Sequence, residues 1–265
     1  MFKEMTLGQY YPADSPIHAL DPRVKLFGTL IYIISLFVFK NIWGFMVISA
    51  CLVSVIILCK VPVSFMLKGL KGIMLIIIIA AAFNLFLTPG VALVSIWKLT
   101  ITRQGLKTAV YMTVRMIYLI VGSSIMTLTT TPNALTDGLE RSMHPFSKIG
   151  FPVHEIAMMM SIALRFIPIL MEETDKIMKA QMARGADFES GGLIKKAKNM
   201  IPLLVPLFVS AFRRANDLAL AMEARCYHGG EGRTKMKPLK YQSRDRIAYV
   251  FIIIYMIILI ILMTI

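Results

Sequence analysis

Two arginines, Arg184 and Arg225, close two amphipathic runs in nearly matched settings: MARGAD over residues 182–187 and MEARCYHGGEGRT over residues 222–234. The chemistry they offer is recognition. Arginine presents a planar, permanently charged fork suited to carboxylates, and a cation in the last turn complements the helix dipole. Ala183 and Ala224 keep each helix end slim enough to enter a groove, and Gly185 supplies the left-handed residue that stops the first helix. A single copy would be an ordinary helix end; two copies, 41 residues apart, suggest something gripped at two points. The second motif has Cys226 where the first has glycine. A side chain tolerates the left-handed region poorly, so the second helix is expected to end differently or run on, with Gly229, Gly230 and Gly232 supplying the turn.

Other chemistries find no residues to carry them. There is no GxxxxGK[ST] phosphate loop, so the chain itself is not expected to hydrolyse ATP. His18, His144, His154 and His228 lack metal-ligand spacing, and neither a carboxylate pair nor a nucleophile arrangement stands near a hydrophobic run. We therefore expect no catalytic residue, metal or bound cofactor. Cys51, Cys59 and Cys226 give no disulfide framework. Basic residues are not interleaved with aromatics, which argues against nucleic acid. Arg115 lies within an apolar run, eight residues from Lys107, and can snorkel outward.

The elements around these residues belong in lipid. A mean hydropathy of +0.70 is far above that of a soluble domain. Apolar runs at Val24–Phe39, Ile42–Cys59, Gly72–Leu87, Ala109–Leu128 and Ala248–Ile265 approach the ~20 residues that span a bilayer as a helix. With the N-terminus cytoplasmic, only Lys40, Lys98, Arg103 and Lys107 lie outside and Arg115 within a span, leaving 24 of the 29 basic residues inside. The expected division is residues 1–129 as N-terminal transmembrane helices, 130–247 as a cytoplasmic region and 248–265 as a last transmembrane helix. Thr131 is placed to cap a helix starting at Pro132, and Gly150 and Pro152 punctuate the next. Long helices are expected over His154–Arg184 and Pro202–Arg225. Arg213, Arg214 and Asp217 keep the second out of the bilayer; the first reads as half buried against the membrane region and half cytoplasmic, with crossing as the alternative. Ala211, Ala215 and Ala219 place small side chains on one face of the second helix, where the two helices are expected to cross.

Five stretches together, HALDPRVKL (18–26), TTTPNALTDGLE (129–140), ALRFIPILMEE (163–173), AQMARGAD (180–187) and EARCYHGGEGRT (223–234), make the chain similar to the transmembrane T component of energy-coupling factor (ECF) transporters. The resemblance implies an all-α integral membrane protein of about five transmembrane helices with two long crossed cytoplasmic coupling helices, lodged in the bacterial cell membrane. It implies no enzymatic activity of its own. It further implies that tips matching Ala183, Arg184, Gly185 and Ala224, Arg225 dock two ATP-binding cassette subunits, which bind the ATP, with Cys226 at the docking tip departing from the glycine usual there, and that a small substrate-binding membrane protein selects the vitamin or other micronutrient. The competing expectation is a self-sufficient secondary transporter, for which Arg115 and Asn84 are too few intramembrane polar residues.

Overall fold

The structure is a computed structural model that describes residues 10–39, 41–96, 99–188, 192–230, 236 and 238–264. α1 (Pro22–Val38) starts where Asp21 accepts the Arg23 N–H at 2.9 Å and proline fills the first position. α2 (Ile42–Cys59) is capped by the Asn41 side chain and ends at Lys60 in the left-handed region, φ 54°. The next apolar run is broken at Gly72 and Ile73 into α3 (Val63–Lys71) and α4 (Met74–Leu87), a bent pair rather than one straight helix. A short antiparallel hairpin that the hydropathy pattern did not announce follows, β1 (Ala92–Ile96) on β2 (Leu99–Thr102), with Ala92 opposite Thr102 and Ile96 opposite Leu99. Its Val, Ile and Thr residues favour the extended chain.

α5 (Arg103–Thr129) begins six residues before its apolar run because the Thr102 hydroxyl accepts the Gly105 N–H at 2.9 Å, a helix cap. α6 (Pro132–Met143) opens as expected, with the Ala134 N–H donating to the Thr131 hydroxyl at 3.3 Å. After a 3-10 turn (His144–Ile149) and Gly150 at φ 84° come α7 (Val153–Ala183), α8 (Leu193–Glu223) and α9 (Ser243–Thr264). α8 starts at Leu193 rather than at Pro202: Pro202 and Pro206 lie inside it. Pro206 has no N–H to give the Pro202 carbonyl one turn back; Gln181 Nε2 on α7 donates to that carbonyl at 3.3 Å instead.

Among the described residues four helices, α2, α5, α7 and α9, are long and apolar enough to cross a membrane, and the α3–α4 pair makes a fifth. α1, at 17 residues, rises about 25 Å, short of a ~30 Å hydrocarbon core. The all-α class holds, with the one hairpin added. Lys3, Glu4, Lys40, Lys98 and residues 231–234, including Gly232, fall outside the described residues.

The described residues divide into two compact units, those within 139–238 and those within 10–138 together with 239–264. The second has a core of Tyr32, Leu36, Ile48, Leu52, Val121, Ile125 and Leu259. Small and polar groups join its helices: the Tyr32 ring lies where a Cβ on Gly122 would go, Ser49 Oγ donates to Tyr118 Oη at 2.8 Å, and Ser35 and Tyr255 hydroxyls meet at 2.6 Å. Close backbone approach and interhelical hydrogen bonds are what lipid leaves as adhesive.

At one end of this unit the polar groups of HALDPRVKL are all engaged. Asp245, 2% exposed, accepts the Asp21 N–H at 2.8 Å and the Gln242 N–H at 2.7 Å, locking the starts of α1 and α9 together. Asp21 pairs with Arg23 at 3.1 Å, and the Arg23 guanidinium lies 4.0 Å above the Tyr241 ring. Lys25 Nζ donates to the His18 and Thr129 carbonyls at 3.1 and 2.8 Å. His18 Nε2 meets the Tyr11 carbonyl at 3.0 Å, so that nitrogen carries the proton, and Nδ1 faces the Ser15 hydroxyl at 2.6 Å. Burial holds this imidazole below its usual range, so it is neutral in the fold.

Candidate functional site

The two arginine tips have the same backbone. At the end of α7 the Gly185 N–H donates to Met182 O at 2.9 Å and the Ala186 N–H reaches back five residues to Gln181 O at 3.0 Å. At the end of α8 the Cys226 N–H donates to Glu223 O at 2.9 Å and the Tyr227 N–H to Met222 O at 3.1 Å. Both are the paired bonds of a Schellman ending, which needs one residue in the left-handed region. Gly185 takes it at φ 88° and Cys226 at φ 53°. The expectation that the second helix ends differently is therefore corrected: the two bonds hold Cys226 in the conformation that glycine would have taken. Gly229, at φ 99°, turns the chain three residues later.

Ala183, Arg184, Gly185, Ala224, Arg225 and Cys226 are all exposed. Neither arginine has an ion-pair partner among the described residues. Each stands one residue before the left-handed turn, so each guanidinium projects from a rigid corner.

α7 and α8 hold the tips apart. Ser210 Oγ donates to Glu173 Oε1 at 2.8 Å, Arg214 Nη2 to Glu173 Oε2 at 2.6 Å, and Gln181 to Pro202 as above. In each of the pairs 173/210 and 181/202 the residue numbers have the same sum, so the helices run antiparallel in fixed register. Asn199 Nδ2 also reaches Asp187 O at 2.6 Å, just past the first tip. The first tip thus lies beside residue 199 of α8 and the second beyond its end at 225, which places them roughly 40 Å apart along the helix. Arg214, which sequence reasoning used only to exclude a span, is the cation of this register. Ala211 is half-buried one residue beyond Ser210, whereas Ala215 and Ala219 are exposed; α7 does not cover them.

The second tip has a support that the sequence did not single out. His154, at the start of α7, pairs through Nδ1 with Glu140 Oε1 at 3.0 Å, and Gly230 packs so closely on the imidazole that a Cβ there would run into it. His154 thereby joins Glu140 to Gly230. Its sequence signal was weak because its partners are 14 residues before and 76 after. His228 is exposed, and no group of residues fit to hold a metal ion occurs among the described residues.

The profile of the CbiQ family, described as cobalt transport protein, matches residues 13–236. The chain is 56% identical over 250 residues to the energy-coupling factor transporter transmembrane protein EcfT of Clostridium kluyveri, covering 94% of this chain and 93% of that protein. This chain belongs to the T components of ECF transporters. Proteins of the same description from Thermosediminibacter oceani (51% over 248 residues, 94% of each chain) and Bacillus subtilis (45% over 255 residues, 96% of each chain) are similar along nearly their whole length as well. The match to the family profile takes in both arginine tips and the His154–Glu140 pair. A T component is a multi-pass membrane protein of a transporter, in keeping with the apolar helices described above.

Proposed function

We propose that this T component is the coupling subunit of an ATP-driven importer of a vitamin or other micronutrient. Its N-terminus and Arg tips face the cytoplasm. Arg184 and Arg225, each with its neighbours Ala183 and Gly185 or Ala224 and Cys226, dock one ATP-binding cassette subunit apiece; ATP is bound and hydrolysed by those partners and not by this chain. Movement of the two ATPases relative to each other is passed through α7 and α8 to a small substrate-binding membrane protein, which approaches α8 where Ala211, Ala215 and Ala219 present a small face. Residues 130–247 act as the cytoplasmic coupling region between transmembrane segments at 1–129 and 248–265.

The observation that carries this reading is the identity of the two tips: the same hydrogen-bonded ending, the same exposed arginine, set roughly 40 Å apart along one helix. A truncated arginine leaves a partner carboxylate unpaired in a partly desolvated groove, a loss of about 2–5 kcal/mol, and reversal to glutamate adds repulsion. The test is co-purification from membranes of the complex carrying Arg184→Glu and Arg225→Glu together. Both ATPases are expected to be lost while the substrate-binding protein remains; retention of both at wild-type ratio would overturn the proposal.

A further inference from the structure

Arg115 lies inside an apolar run of the membrane unit, and the coupling reading leaves it unused. It lies on α5 beside the turn between α1 and α2. Its Nη2 donates to the Phe39 carbonyl at 3.3 Å, where α1 ends, while among the described residues Nη1 faces the Met112 sulfur at 4.0 Å. Nε is buried without a partner among the described residues. One turn earlier on the same helix the Tyr111 hydroxyl is likewise buried and unpartnered, its ring packed on Phe45 at 4.3 Å. Polar groups shut away from water without acceptors cost about 1–3 kcal/mol each, more when charged.

The charge cannot be answered from these helices. The sequence has no Asp or Glu between Asp21 and Asp137, so α1 to α5 contain no carboxylate. Among the described residues the guanidinium meets the partial charge of the carbonyls that end α1 and the ring faces of Phe37 and Phe45 at 5.9 and 6.0 Å, which attract a cation but carry no net charge. Depth is set by the α1–α2 turn: Asn41 caps α2, and Trp43, 62% exposed, sits in its first turn, the residue type that marks the headgroup boundary. α1, rising about 25 Å, carries that turn no farther than the hydrocarbon boundary, within reach of the headgroups for a long side chain. The side chains around Arg115, Phe37 at 56% and Met112 at 40% exposed, are apolar and open outward. What adjoins this cation is therefore lipid at the level of its phosphates.

We infer that Arg115 is a binding site for the phosphate of an anionic phospholipid in the leaflet that the α1–α2 turn reaches. A phosphodiester supplies the net negative charge and several acceptor oxygens, and the planar guanidinium can meet two of them. The inference stands on the membrane unit alone and is independent of the docking of ATPases at the tips.

The experiment is native mass spectrometry of the full chain in neutral detergent, titrated with phosphatidylglycerol or with phosphatidylcholine. Wild type is expected to retain the anionic lipid in preference, and Arg115→Gln to retain it about fivefold less, the effect of one cation at a membrane surface. Arg115→Lys, which keeps the charge but loses the planar fork, should fall between; it carries the test should the glutamine variant fail to fold, as judged by helix content and elution. Equal retention by Arg115→Gln, or equal uptake of both lipids by wild type, overturns the site. Displacement of the lipid by millimolar inorganic phosphate would make it a site for the free anion and overturn the lipid assignment. So would cross-linking of position 115 to a carboxylate of a partner membrane protein in the assembled complex.

Discussion

At the scale of single residues, Cys226 and Gly230 carry the second tip. Cys226 holds a left-handed conformation that costs an L-residue about 1–2 kcal/mol, and glycine adopts it freely while losing more entropy on folding. Cys226→Gly is therefore expected to raise the stability of the chain by roughly 1 kcal/mol or less, read as an upward shift in its thermal midpoint in detergent. A lower midpoint would show that the thiol makes a stabilising contact within the chain that outweighs the strain of the turn. Gly230 is constrained from the other side. A methyl group there enters the His154 ring, and Gly230→Ala should cost about 1–3 kcal/mol as overpacking does. His154→Ala opens space for that methyl, so the double variant is expected to recover part of the loss; strict additivity would mean that the two residues do not share the contact.

Among the elements, α8 decides how the parts communicate. One side of it is tied to α7 through Glu173, Ser210 and Arg214, and another presents Ala215 and Ala219 uncovered. Ala215 is exposed in the isolated chain, so Ala215→Phe should leave its stability within about 0.5 kcal/mol of wild type. In proteoliposomes of the whole transporter the same variant is expected to uncouple ATP hydrolysis from uptake, because it holds off a second helix on that face. Uptake at the wild-type rate would remove the small face from the mechanism. The elements were legible where apolar length alone decides: α2 lies where its hydropathy placed it, and α1, α5 and α9 differ only at their ends. What hydropathy missed needed a partner remote in sequence or a local cap. Pro202 read as a helix start, whereas Gln181, 21 residues away, supplies its carbonyl with the donor that Pro206 lacks. The arginine tips were legible from their residue types, but the equivalence of their endings was not, because a cysteine at the turn argued against it. The hairpin between α4 and α5 gave no signal in a chain so rich in β-branched residues that Val and Ile mark spans and strands alike.

For the whole molecule, the separation of the tips predicts that they act singly. Arg184→Glu should leave a complex with one ATPase attached at the α8 end, and Arg225→Glu one with the other ATPase attached at the α7 end, each inactive in uptake. The mass of the purified complexes distinguishes these products from wild type. Loss of both ATPases from either single variant would show that the two bind only as a pair, and that the tips are one site in two pieces.

The bond from the Asp21 N–H to Asp245 joins residues 224 apart, and the unit it closes is split in the chain by Leu139–Pro238. During synthesis the early helices leave the ribosome and enter the bilayer long before their last neighbour exists. Until α9 arrives, the Asp21 N–H waits without its acceptor, and the groove that Leu259 fills stays open to lipid. The membrane unit is thus complete only after α7 and α8 have been made, so every finished copy already carries both tips. An interrupted chain remains open at the same place, where a membrane protease can distinguish it from the finished protein.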